Sequence, residues 1–231
     1  MKYNWINHNE FGRSCFLLFS LLLMMGIAAC AGQGPKDSAA ADPIQTSMEF
    51  RYDETQRQLN ARIQFRKDST VIKLEEDVRL SGSRLRFYES PILGPVYSVT
   101  RELEYDSLLT LEIGAEKFFI PVPRFDAPSM STDFNKEKGG RLHWNGPLLA
   151  NGEFLIILME DSQKTVISLN RAGPSSYEST KIFPAQIDTL TVGPIDVNLN
   201  RRISYQDASG PYQAQITVEY FGFPFQFELK P

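Results

Sequence analysis

The sequence predicts an all-β protein, with two antiparallel β-sandwich domains following a signal peptide and a flexible tether. Three observations carry that expectation. Apolar and polar residues alternate with period two through most of the chain, as half-buried strands require. Gly, Pro, Asn and Asp recur at the short spacing of hairpin turns. No apolar stripe of helical period runs longer than two turns.

At the N-terminus Lys2 and Arg13 stand against Glu10, and no charge follows from Ser14 to Ala29. The run Phe16–Ile27 is almost entirely Phe, Leu, Met and Ile. It is short of the ~20 apolar residues of a spanning helix and has the length of a signal-peptide core. Ile27-Ala28-Ala29-Cys30 follows, an aliphatic residue and two small ones before a cysteine. This resembles the bacterial lipobox. The resemblance implies cleavage before Cys30, lipidation of its sulfur, and Ile27, Ala28 and Ala29 as the signal-peptidase recognition positions. Two or three acyl chains anchor a protein stably where one does so marginally. The resemblance also implies a lipid-anchored protein of the cell envelope. Ala31, where an Asp can cause inner-membrane retention, leans towards the outer membrane, with the side it faces left open.

Residues 30–43 are small, polar and turn-rich, and read as a tether. Removing residues 1–29 takes two of 24 Lys and Arg and one of 28 Asp and Glu. The remainder has 22 against 27, a formal charge of −5. Nucleic-acid binding wants a basic footprint and is not expected. Cys15 leaves with the signal peptide and Cys30 goes to lipid, so the folded part has no thiol for disulfides, zinc or nucleophilic catalysis. His143 is its one histidine. No cofactor is expected.

The first domain, 44–122, opens with Met48, Phe50 and Tyr52 alternating with Glu49 and Arg51, then Leu59 to Arg66 in the same rhythm. Val78–Ser81 and Arg84–Phe87 flank Gly82-Ser83, which predicts a type II′ hairpin. Further strands are expected at 96–103, 108–113 and 117–122. Three prolines at 121, 123 and 128 place the domain boundary here, because proline cannot donate to a ladder.

The second domain, 123–231, begins with Gly140–Trp144, where Leu142 and Trp144 point inward and His143 outward. Phe154–Met159 reads as a central strand buried on both faces. Strands are expected at 165–169, 178–183, 187–191, 195–200, 203–206, 213–221 and 225–229. A Trp strand followed, after a turn-rich gap, by an apolar strand resembles fibronectin-III and immunoglobulin-like domains, carried by Trp144 and strand rhythm alone. Arg201 continues the apolar phase of Val197 and Leu199. A turn at Asn200-Arg201 is the favoured account, burial against a carboxylate the other.

Candidate sites are few. Tyr220–Phe227 predicts a terminal hairpin whose turn carries Phe221 and Phe223. They form either an aromatic tip for a sugar or partner, or a tip folded back on the core. Residues 133–139 faintly match a calcium-loop pattern, but Lys138 occupies the glycine position and Trp144 that of the bidentate Glu, so no metal site is expected. The carboxylates Glu75-Glu76-Asp77, Glu160-Asp161, Asp188, Asp196 and Asp207 read as solvated strand ends rather than a glycosidase pair. No G-x-S-x-G, Walker A or H-E-x-x-H motif is present. The expected function is a non-enzymatic binding or accessory role, the membrane reached through Cys30 and the partner an envelope complex or a glycan. The alternatives are a carbohydrate-binding lipoprotein using Phe221 and Phe223, a carboxylate hydrolase, and assembly by edge-strand pairing.

Overall fold

A computed structural model describes residues 42–231; Ile27, Ala28, Ala29 and Cys30 lie outside the described residues. The described chain is all-β, with one 3₁₀ turn at Pro184–Gln186. The strands are β1 (Ile44–Asp53), β2 (Gln58–Lys67), β3 (Thr70–Ile72), β4 (Val78–Leu80), β5 (Ser83–Arg84) and β6 (Arg86–Ser90). Then come β7 (Gly94–Glu102), β8 (Leu108–Ile113), β9 (Glu116–Pro121), β10 (Asp126–Met130), β11 (Gly140–Asn145) and β12 (Glu153–Asp161). The last are β13 (Val166–Ala172), β14 (Ser179–Ile182), β15 (Gly193–Ser209), β16 (Tyr212–Phe221) and β17 (Phe225–Leu229).

One large sheet runs β13-β12-β15-β16-β1-β2-β7-β6, with β17 added to β15 and β3 to β2. Two small sheets, β5-β4-β8-β9 and β10-β11-β14, pack on its inward face. The four-stranded sheet is tied to β7 by Arg101 donating to Ser83, and to β15 by Ser209 Oγ donating to Glu116 Oε2 (2.7 Å). The three-stranded sheet is tied to β13 by Arg171 Nε donating to Thr180 Oγ1 (3.0 Å), and Phe134 meets Phe227 of β17 edge to face. The connection 122–125 falls where the sequence predicts a domain boundary. The large sheet nevertheless takes strands from both sides of it, and Asp42–Pro231 form one compact unit. The reason is a parallel pairing of β1 with β16, Ile44 opposite Tyr212 through Asp53 opposite Phe221, which joins the first strand to one near the C-terminus.

Several expected elements are corrected. The hairpin expected around Gly82-Ser83 turns on Ser81-Gly82, both with positive φ (44° and 78°), the type I′ pattern rather than type II′. Leu85 then breaks the expected strand 84–87, and the chain crosses from the small sheet to the large one. Residues 126–130 form an edge strand that the prolines concealed; a register shift between Asp126 and Ser129 accommodates Pro128. Residues 187–191 are a turn, not a strand, with Ile187 N bonded to Pro184 O and Leu190 N to Ile187 O. Strand β12 is buried on one face. Leu155, Ile157 and Met159 are fully buried, whereas Phe154 is exposed and Ile156 and Leu158 are half-buried. Finally, 213–229 is no hairpin. β16 and β17 run in one direction along β15, and 222–224 is a bulge between them, opposite Asn198 and Leu199.

Asp161 closes the β12–β13 turn and also holds the 187–191 turn. Its Oδ1 accepts from Gln163 N (2.9 Å) and Thr165 N (2.8 Å), its Oδ2 from Thr191 N (2.9 Å) and Thr191 Oγ1 (3.0 Å). These donors, led by Thr191 N, lower its pKa from the ordinary 3.8 to about 2. A folded-state pKa below the unfolded one contributes stability above pH 3.8 that is lost as pH falls towards 2. Asp161→Asn is therefore expected to flatten the stability profile between those limits, as chemical denaturation at stepped pH would measure. An unchanged acid slope would count against this account.

Candidate binding face

The outward face of the large sheet carries the best candidate site. β1, β2 and β16 alternate strictly, so Met48, Phe50, Ile63, Ile216 and Val218 are buried while their neighbours face out. Register then builds cross-strand rows. Gln206, Gln215, Ser47 and Gln64 share one row, and Ala208, Gln213, Gln45 and Arg66 the next. A third joins Ser204, Thr217, Glu49 and Arg62. Together these rows floor a groove of about 860 Å³ beside one of about 430 Å³. The side chains are linked along the face: Gln45 Nε2 donates to Gln213 Oε1 (2.9 Å), and the hydroxyls of Ser204 and Thr217 lie 3.1 Å apart. Gln64 Nε2 donates to Leu93 O (2.7 Å), holding the 91–94 turn at the rim.

Further along the same face lie Phe154, Ile156 and Leu158 of β12, with Asn198, Asn200 and Arg202 of β15 beside them. Asn200 also faces Phe221 of β16. Phe221 is half-buried, with the Arg51 guanidinium 3.9 Å over its ring. Phe223, 53% exposed, rises from the bulge. The expected aromatic tip is thus part of a sheet: Phe221 is the last residue of β16 and Phe223 lies within the 222–224 bulge.

The remaining candidates settle elsewhere. Trp144 is core and His143 exposed, on opposite faces of β11. In the 133–139 loop the Asn135 side chain accepts from Lys138 N (2.8 Å) and donates to Asp133 O (3.1 Å), so it braces a turn. Among the described residues, no three His, Cys, Asp or Glu gather as for a metal. Glu160 and Asp196 are cross-strand partners, but each is engaged: Lys164 Nζ lies 2.7 Å from Glu160 and Gln226 Nε2 2.6 Å from Asp196. Asp77 pairs with Arg84 at 2.7 Å. Asp207 lines the larger groove.

Arg201 overturns the favoured turn at Asn200-Arg201. β15 passes straight through it, and its side chain, 2% exposed, lies in the inward row. There it donates to Arg124 O (3.3 Å), Pro147 O (3.1 Å) and Leu148 O (2.9 Å), and pairs with Glu153 Oε2 at 2.5 Å. Three loop carbonyls without ladder partners converge at this point, and a guanidinium satisfies them where an apolar residue could not. Next to it Tyr220 donates to the buried Glu54 carboxylate (3.2 Å), which Arg124 also approaches (3.5 Å). Burial, then the Glu54 charge, push the Tyr220 phenol far above its ordinary 10. This cluster is internal bracing beneath the outward face.

Comparison with protein-family models and with curated proteins gives no match.

The amide rows escaped sequence reading because alternation marks a residue as outward without naming its neighbours in other strands. Arg201→Ala is expected to cost about 3–5 kcal/mol, since it strands Glu153 as a buried charge. The pair Arg201→Met with Glu153→Gln should cost distinctly less than that single change. Urea denaturation of the three proteins measures both, and equal losses would contradict the ion-pair account.

Proposed function

We propose that this is a lipid-anchored cell-envelope protein with a non-enzymatic binding role, and that the outward face of its large sheet is the contact surface. The observation that carries the reading is the open, polar face itself, ten strands in extent, with both small sheets on the other side. Ligand sites gather a few convergent polar groups in a concavity, and the two grooves lie where the amide, hydroxyl and guanidinium side chains are densest. The lipobox-like Ile27-Ala28-Ala29-Cys30 supports the anchor. On this reading the outer membrane is the favoured location. Trp144 at the core of β11 and the strand rhythm support sandwich lobes of the immunoglobulin or fibronectin-III kind, sharing one large sheet.

The chain enters the fold at Ile44, whose N–H bonds to Pro211 O (2.8 Å), at the end of the sheet that carries Gln45 and Gln213.

Two outcomes are expected. Cys30→Ala abolishes metabolic palmitate labelling and detergent-phase partitioning; surviving label would defeat the anchor. Ser47→Trp fills the groove floor between Gln215 and Gln64 without touching the core. It should abolish recovery of whatever protein or glycan co-purifies with the lipidated wild type from its own membranes, and identical recovery would defeat the binding face.

A further inference from the structure

We infer that the outward face takes an extended, uncharged polysaccharide, laid along β16 from the glutamine groove through the smaller groove at Thr217 and Glu219 towards Asn200. This rests on the binding-face reading above and assigns its ligand class.

Charge supplies the first argument. Two of the face's arginines are matched locally: Arg62 with Glu49, and Arg202 with Glu219 across neighbouring strands at 3.8 Å. Arg51 is turned onto Phe221, and among the described residues Arg66 is the one cation lining the larger groove. A polyanion needs a row of unmatched cations, and a single arginine in the groove is not one. What remains for a ligand is the neutral set of glutamines, Ser47 and Thr217. Each primary amide offers two donors and an acceptor, and each hydroxyl one donor and two acceptor sites. A chain of vicinal hydroxyls, which both donate and accept, complements that set at every row.

Asn200 points to a ligand on grounds separate from charge. Asn200 is 8% exposed, and its Oδ1 has no hydrogen-bond partner among the described residues. A buried acceptor left without a donor costs about 1–3 kcal/mol, and such groups in native proteins call for a reason. Asn200 sits on the outward side between Ile156 and Phe221, with Phe154 exposed one row away. Oδ1 is covered in the free protein; rotation of the Asn200 amide would present it to a sugar hydroxyl and bring the ring's C–H face against Ile156 and Phe154, with the Arg51 guanidinium, stacked on Phe221, at the opposite rim. A protein partner fits less well. Binding hot spots are buried aromatic or arginine anchors, and the larger groove is lined by no large apolar side chain.

The test uses the full lipidated protein in detergent micelles. Affinity electrophoresis is run through gels containing a neutral β-glucan, an α-glucan, a mannan or a xylan, with polygalacturonate as the polyanion. Retardation by at least one neutral polymer is expected, insensitive to raised salt. The doubly substituted Gln45→Ala, Gln215→Ala protein and the Asn200→Ala protein should each lose about tenfold or more in affinity, one to two hydrogen bonds' worth. Phe119→Ala, an exposed change on the four-stranded sheet, should alter nothing. Because the glutamines lie on the surface, the double variant stays informative if Asn200→Ala misfolds. Retardation by none of the neutral polymers, retardation only by polygalacturonate and abolished by salt, or equal binding by the face variants would each overturn the inference. If no neutral polymer binds while Ser47→Trp still abolishes co-purification, the ligand class falls and the binding face stands. If Ser47→Trp also leaves recovery unchanged, both fall.

Discussion

The structure depends on Arg201 being held inside a strand that does not stop. At about 3.3 Å per residue, the seventeen residues of β15 span roughly 55 Å, long enough to serve both halves of the large sheet. Its inward row reads Ile195, Val197, Leu199, Arg201, Ile203, Tyr205, and the cation falls where the chain crosses between the two small sheets. That crossing, 122–125, and the loop 146–152 bring carbonyls inward with no strand to receive them. One guanidinium takes three of them, and Glu153 neutralises it. An apolar side chain there would leave those acceptors dry; a turn there would cut the shared sheet in two. The ion pair is a costly device in general, and here its return lies in letting one strand pass through both halves.

Around that point the packing closes from both sides. Glu153 also accepts from Ala150 N (2.8 Å), and Gly173 lies so close to the Ala150 carbonyl that a Cβ would come within 2.1 Å of it. On the other side Arg124 reaches Glu54 and lies over the Tyr105 ring, while Tyr105 donates to Val122 O (2.8 Å). Tyr52, Tyr105 and Tyr220 stack and cross at ring separations of 5.8–6.1 Å. The crossing is thus gripped by aromatic faces and charged hydrogen bonds together. The outward side of the same strands carries Asn200, Phe221 and Arg202, where the polar and apolar parts of the face meet.

Period two alone made the all-β class legible, and it placed most strands within a residue or two. What it could not show is pairing. The β1–β16 ladder links residues 168 apart, and nothing local in Gln45 or Gln213 announces the other. The expected hairpin at Gly222–Pro224 failed for a related reason: glycine and proline interrupt a ladder whether the chain then reverses or merely bulges. Phe154–Met159 looked buried on both faces because six apolar residues carry no sign of which face is open. Arg201 was visible as an anomaly of phase, and the carboxylate alternative named its environment. The preference for a turn assumed that the next strand had to start afresh.

The same long-range register explains why the face belongs to the finished fold and to no fragment of it. Rows of amides form only when β15, β16, β1 and β2 stand in register, and a one-residue slip would turn every glutamine inward and every core residue out. The core prevents that slip, because Met48, Phe50, Ile216 and Val218 are fully buried on the reverse side of the same strands. The apolar phase of each strand therefore sets the polar phase of its neighbours' rows. Closing a loop of this length is entropically dear and is recovered only when the ladder is complete. A surface assembled from the first and nearly the last strands is consequently present when the whole sheet is present and missing otherwise, which couples the recognition chemistry of the face to the integrity of the strand that runs through Arg201.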